Sequence, residues 1–229
     1  MKTLIKSVTA IGFSALAIAA SPVAAQVTGK VAVLNPTEVV IKAAAFQSAY
    51  QQIATTYSVQ RTTIQQRDAQ VQELLKQLDT NSDGNIDEAE LTAAQGTPQA
   101  GQIEQIETEV STLQNQIDRA RVYAVEQILI QYGAAAQQVI EKENIQLVFA
   151  PDAVRFAKPE ANIGDKVVAA LNALAPNVGI TPPQNWQPAQ QSVALFQQVQ
   201  QVLMSAQAQA QAAAAAATPA PAQPAPTGR

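Results

Sequence analysis

The sequence predicts an α+β fold: a small head of β-strands carrying a long antiparallel helical-hairpin coiled coil, with a disordered C-terminal tail. Three observations predict it. Two short apolar runs rich in β-formers, Lys30 to Leu34 and Ile145 to Phe149, lie far apart in the chain. Between them, two helical stretches hold apolar residues on a seven-residue beat. A short segment dense in Asp, Asn and Gly joins those stretches.

Residues 1–25 read as a secretory signal. Lys2 and Lys6 make a basic start, and the apolar run from Val8 to Ala20 is too short to span a bilayer. Ser21-Pro22-Val23-Ala24-Ala25 supplies the small residues of a cleavage site, so the mature chain is expected to begin at Gln26. The alternative is a buried N-terminal helix. No later segment has enough consecutive apolar residues for a transmembrane span.

Lys30-Val31-Ala32-Val33-Leu34 predicts a buried strand that Asn35 ends. Asn35-Pro36-Thr37-Glu38 then has the pattern of a helix start, with Asn at the N-cap, Pro at N1 and Glu at N3. A helical stretch follows to about Leu78. Tyr50, Tyr57, Ile64, Val71 and Leu78 form one apolar series, and Phe46, Ile53 and Leu74 its partner, interrupted at Gln60 and Arg67. A repeat of 3.5 residues marks a left-handed coiled coil, and between Tyr57 and Val71 its seam is thin and polar.

The second helical stretch runs from about Gln102 to Glu143, with Ile103, Ile106, Val110, Leu113, Ile117, Ala120 and Ala124 at the same spacing. At 1.5 Å per residue each arm is roughly 50–60 Å long, and arms of similar length with one connector predict an antiparallel hairpin. The chain then returns to a strand, Ile145 to Phe149, with Val154-Arg155-Phe156 as a third strand after a Pro151-Asp152 turn. Asn162 to Asp165 repeats the N-cap spacing and opens a helix through about Leu174, with Val167, Val168, Leu171 and Leu174 on one face. So small a head is expected to need partner subunits.

Residues 176–187 form a Pro-rich linker. Residues 188–204 predict an amphipathic helix with Val193, Phe196, Val199, Val202 and Leu203 on overlapping faces. The Ala/Gln/Pro tail from Ser205 has nothing to bury and is expected to be disordered or a frayed helix.

Composition removes several chemistries. The 229 residues include no Cys and no His, which excludes disulfides, the usual zinc sites, thiol nucleophiles and a Ser-His-Asp triad. Lys and Arg number 14 against 18 Asp and Glu, for a formal net charge of −4, so nucleic acid is not an expected partner. Aromatic residues make up only 4%, which fits long helices better than one large core. No nucleophile–base pair or phosphate loop is present, so the chain is not expected to be an enzyme.

The most specific motif is DTNSDGNIDEAE at 79–90, which matches the twelve-position EF-hand loop. Asp79, Asn81 and Asp83 occupy positions 1, 3 and 5, where short oxygen side chains converge on one cation. Gly84 stands at position 6, where the turn needs a positive φ. Asn85 at position 7 offers its carbonyl, Ile86 packs inward, Asp87 at position 9 ligates directly or through water, and Glu90 at position 12 coordinates with both oxygens. Leu75 and Leu78 before the loop and Leu91 after it suit flanking helices. The expected ion is calcium, a hard cation that takes oxygen ligands. The plainer alternative is a polar turn that only caps two helices.

The order of these elements, carried by KVAVLNPTEVV at 30–40 and IEKENIQLVFAPDAVRF at 140–156, resembles the Skp/OmpH family of periplasmic chaperones. The resemblance covers residues 27–174 apart from the inserted loop. It implies a homotrimer in which strands join into a central body and helical hairpins hang from it as tentacles. Unfolded outer-membrane β-barrel proteins would be held between the hairpins, without ATP, in the periplasm of a Gram-negative bacterium. One departure stands out: the better-known members of the family have basic tentacles, whereas residues 44–140 here carry Arg61, Arg67, Lys76, Arg119 and Arg121 against twelve Asp and Glu. Two further readings compete: a coiled-coil spacer, and a calcium-clamped structural or interaction protein of the cell envelope.

Overall fold

The computed structural model describes residues 29–217. The signal segment, its cleavage site and the tail beyond Ala217 lie outside the described residues. Strand β1 (Lys30–Val33) pairs in parallel with β2 (Ile145–Phe149). The register sets Ala32 opposite Val148 and Val33 opposite Phe149, and Leu34 N donates to Phe149 O at 3.0 Å. Parallel strands cannot be joined by a tight turn, and here the whole helical excursion lies between them. Asn144 closes it: it takes a left-handed φ of 54° at the end of the last long helix and turns the chain into β2.

The first arm has three helices, α1 (Pro36–Lys42), α2 (Ala44–Thr56) and α3 (Ser58–Leu78). Asn35 caps α1 as expected: its Oδ1 accepts from Thr37 N at 3.1 Å and Glu38 N at 3.4 Å. The expected single long helix is corrected at two places. At Ala43 the backbone is extended (φ −64°, ψ 138°), because Ala44 N donates to Asn172 Oδ1 at 2.8 Å instead of continuing the helix. At Tyr57 (φ −101°, ψ 25°) the helix bends, although Tyr57 N still donates to Ile53 O and Arg61 N to Tyr57 O.

After the loop and the short helix α4 (Glu88–Ala94), helix α5 (Pro98–Glu143) runs back without a break. It starts before Gln102, because Thr97 caps it by accepting from Ala100 N at 3.3 Å and Pro98 sits at its first position. Partners along the two arms run in opposite order. Phe46 shares a buried cluster with Val125 and Ile128, Ala49 and Ile53 share one with Ile117, Ala120 and Ala124, and Arg67 pairs with Glu109.

The head core joins Val39 and Val40 of α1, Phe46 of α2, Val125 and Ile128 of α5, and Val167 and Leu171 of α6 (Gly164–Leu174). Val154–Phe156 is not a strand. Pro151 and Pro159 each begin a 3₁₀ turn on either side of it, and Phe156 is exposed. The place beside β1 is taken instead by Asn162, which bridges Val33, with Ile163 N donating to Val33 O at 3.2 Å. The N-cap of α6 is Ile163, one residue after the expected Asn162, whose Oδ1 still accepts from Gly164 N at 2.8 Å, and Leu174 faces solvent rather than sharing the buried face. The last helix, α7 (Gln190–Ala217), inserts Leu195 and Val199 into the head core. It continues through residues 205–217, where a disordered tail or frayed helix is expected, because Ala and Gln favour helix without needing burial.

Candidate functional site

Helix α3 delivers the loop with Leu74 buried and Leu75 and Leu78 half-buried against the arm. Asp79 then caps the chain's exit: its Oδ1 accepts from Asp83 N at 3.2 Å and its Oδ2 from Gly84 N at 2.8 Å. Asn81 Oδ1 also accepts from Asp83 N, at 2.9 Å, and Asp83 Oδ1 accepts from Asn85 N at 2.8 Å. Asn81 Nδ2 donates to Asp83 Oδ2 at 3.2 Å. Two left-handed residues make the turn, Ser82 at φ 59° and Gly84 at φ 84°, and only the second is of the type that adopts it freely. The structure thus brings Asp79, Asn81 and Asp83 to one turn, where their side-chain oxygens accept from loop amides.

Asp87 and Glu90 are committed elsewhere. They form a capping box at the start of α4, with Glu90 N donating to Asp87 Oδ1 at 2.9 Å and Asp87 N to Glu90 Oε2 at 3.2 Å. Glu90 is buried, and its Oε1 accepts from Thr80 N at 2.7 Å, Thr80 Oγ1 at 2.9 Å and Asn81 N at 3.1 Å. The Asn81 amide is the largest of the influences that hold its carboxyl below the usual carboxylate range, with the Asp87 and Thr80 donors adding to it against the cost of desolvation. Both oxygens expected to face a cation are therefore spent on the loop backbone. Among the described residues, no three acidic side chains gather as a metal-holding group. Ile86 is half-buried as expected, but Leu91 is exposed, and Ala94 makes the buried contact of α4.

Below the loop the seam between the arms is uneven. Leu74 and Ile106 are buried near the tip, and Ile53, Ile117, Ala120 and Ala124 near the head, but no residue of 54–73 or 107–116 is buried. That middle is bridged by Arg67, whose Nε lies 2.9 Å from Glu109 Oε2 and whose Nη2 donates to Glu109 Oε1 at 3.3 Å. Sequence reading treats Arg67 only as an interruption; its charge in a seam position is the signal for a partner across it. Nearer the head, Tyr50 and Arg121 meet, with the guanidinium 6.0 Å from the ring centroid. Burial pushes the Tyr50 hydroxyl up to about 12.

The head leaves a second surface. Val31, Leu147, Val148 and Phe149 are each 40–44% exposed, and among the described residues β2 pairs on one edge only. No helix among the described residues is long and apolar enough to cross a membrane.

The described residues form a small two-stranded parallel sheet joined to long helices whose facing middle is lightly packed. The sequence model of the outer membrane protein (OmpH-like) family matches residues 30–171, and the chain belongs to that family. The crystal structure of an OmpH-like outer membrane chaperone from Caulobacter crescentus CB15 is similar at 16% identity and a TM-score of 0.44, over 69% of this chain and 94% of that one. No curated protein matches the chain.

Proposed function

We propose that this chain is an ATP-independent periplasmic holdase that binds unfolded outer-membrane β-barrel proteins, and not an enzyme. The observation that carries the reading is the hairpin of a family member whose middle buries nothing between Ile53 and Leu74. Arms that are not tightly zipped have apolar side chains free to make many weak contacts. A barrel precursor, with alternating apolar residues and no lipid, needs such shielding. The apolar, one-edged β2 favours assembly through the head into a homotrimer whose antiparallel hairpins surround a client. The test is suppression of aggregation when a urea-unfolded barrel protein is diluted into buffer, expected at near-stoichiometric trimer. No suppression, with or without calcium, overturns the reading.

Calcium binding at residues 79–90 is the second part of the proposal. Asp79, Asn81 and Asp83 present oxygens on one turn, Asn85 and Asp87 continue it, and Glu90 would have to leave Thr80 and Asn81 to join them. As the loop stands, Glu90 does the work of closing it that a cation would do. Calorimetry with calcium chloride should show uptake by the wild type and none by the Asp79→Ala/Glu90→Ala variant. Absence of uptake by the wild type leaves a capped turn and nothing more. The acidic balance of the arms favours a second reading, a calcium-clamped coiled-coil interaction protein of the cell envelope. That protein would capture one fixed partner in pull-downs rather than many unfolded clients.

A further inference from the structure

Residues 176–189, between α6 and α7, lie outside the family-matched segment 30–171 and are rich in proline, yet they are bound to the hairpin at several points. Ser48 Oγ of α2 donates to Asn177 Oδ1 at 3.0 Å. Val178 packs against both buried clusters and Ile180 against the one formed by Ile53, Ile117 and their neighbours. At Gly179 the backbone passes close to Tyr123, whose ring a Cβ there would meet at 3.5 Å. Trp186, the chain's single tryptophan, sets its ring edge-on to Tyr123 at 5.2 Å between centroids, with the Arg119 guanidinium 5.4 Å from its own centroid.

One carboxylate gathers the end of this segment. Glu126 of α5 accepts from Trp186 Nε1 at 2.8 Å and from Ala189 N at 2.9 Å, where α7 begins. It therefore satisfies an amide at the start of α7 with a negative charge supplied from another helix. Arg119 Nη2 donates to Trp186 O at 3.2 Å on the same side.

We propose that residues 176–189 act as a staple that locks the head-proximal part of the hairpin, so that the arm bends only beyond Tyr57. The staple lies where the seam is buried: Val178 and Ile180 pack against the cluster of Ala49, Ile53, Ile117, Ala120 and Ala124, at whose edge Tyr57 and Ile64 also pack. Beyond that point no residue of 58–73 or 107–116 is buried and Arg67–Glu109 spans the gap. The backbone departs from helical geometry at Tyr57, at the boundary between the two regimes. The inference rests on packing alone and stands whether or not the chain is a holdase.

Hydrogen exchange on the full chain tests it, with the double variant Glu126→Gln/Trp186→Ala, which removes the indole and the negative charge that holds both it and the Ala189 amide at the start of α7. The expected result is fast exchange across 176–189. Amide protection in 44–56 and 117–130 should fall about tenfold, the effect of losing a half-buried aromatic anchor and its charged hydrogen bond, while 58–73 and 107–116 stay unchanged. Three results overturn it: 176–189 remaining protected, the proximal segments keeping wild-type protection after the staple has opened, or an equal loss of protection along the whole hairpin.

Discussion

Replacing Ile128 by alanine tests whether the head is held by one shared core. Ile128 is fully buried on α5 and lies in the cluster that joins α1, α2, α6 and α7. The change removes carbons worth about 2.4 kcal/mol at roughly 0.8 kcal/mol per buried methylene. The cluster it belongs to also holds Val39, Val125 and Leu171, themselves fully buried on three different helices, so the site has little freedom to collapse. The residual cavity then adds about 1–2 kcal/mol, for a total of roughly 3.5–4.5 kcal/mol. Val59→Ala is the matched control, because Val59 is 73% exposed and its loss should cost under about 0.5 kcal/mol. Urea unfolding followed by far-UV ellipticity, at one fixed protein concentration, reads both. A cost below about 1 kcal/mol for Ile128→Ala, or one equal to the control, refutes the single core and leaves the helices as loosely associated rods.

Three further outcomes follow from local geometry. Asn35→Ala removes the acceptor for Thr37 N and Glu38 N and should cost about 1 kcal/mol in the same urea titration, whereas Asn35→Asp should be nearly neutral. Gly133→Ala should stabilise by up to about 1 kcal/mol, raising the melting temperature, because Gly133 is exposed inside α5 with nothing within 4 Å of the added methyl. Glu90 has a folded-state carboxyl held below its ordinary value of 4.5 by the Asn81 amide foremost. The stability it lends the loop is present above the unfolded value and is lost as pH falls through the folded one. Amide exchange at Thr80 and Asn81 should therefore speed up in acid, below about pH 4.5 in the wild type, and be indifferent to pH over that range in Glu90→Gln once the intrinsic exchange rate is divided out.

Elements were legible where the signal was local. The Asn35 cap, β1, β2 and the apolar beat of both arms depend on residues within a turn or two of one another, and each stands where the sequence puts it. The features that sequence reading missed depend on partners remote in the chain. Nothing near Ala43 announces that the helix stops there; the acceptor for the next amide is Asn172, on α6. Val154–Phe156 has strand composition, but the place beside β1 goes to Asn162 and Ile163, which no periodicity favours. The segment 176–189 has the composition of a free linker and is pinned by Glu126 of α5. A lone tryptophan in a polar, proline-rich stretch was the one hint, since an indole N–H seldom lies idle when its ring is packed.

The loop at 79–90 shows why a motif can match position by position and still leave its chemistry open. The residue types that ligate calcium, short Asx side chains followed by a Glu, are also those that cap turns and helices, because both tasks ask for carboxylate or amide oxygens close to the backbone. Asp87 and Glu90 are separated by the spacing of a capping box as well as that of positions 9 and 12, and the structure uses them in the first sense. The two uses compete for the same atoms. Glu90 Oε1 already accepts three hydrogen bonds, so an incoming cation has to repay the exposure of Thr80 N and Asn81 N before it gains anything. The affinity of the loop is thus set against its own closed form, and substitutions that weaken the closed form without removing ligands should tighten binding. Thr80→Ala, which deletes one donor to Glu90 and no calcium ligand, is the change that separates competition from simple coordination: calorimetry should show tighter calcium uptake than in the wild type, and weaker uptake would contradict the argument.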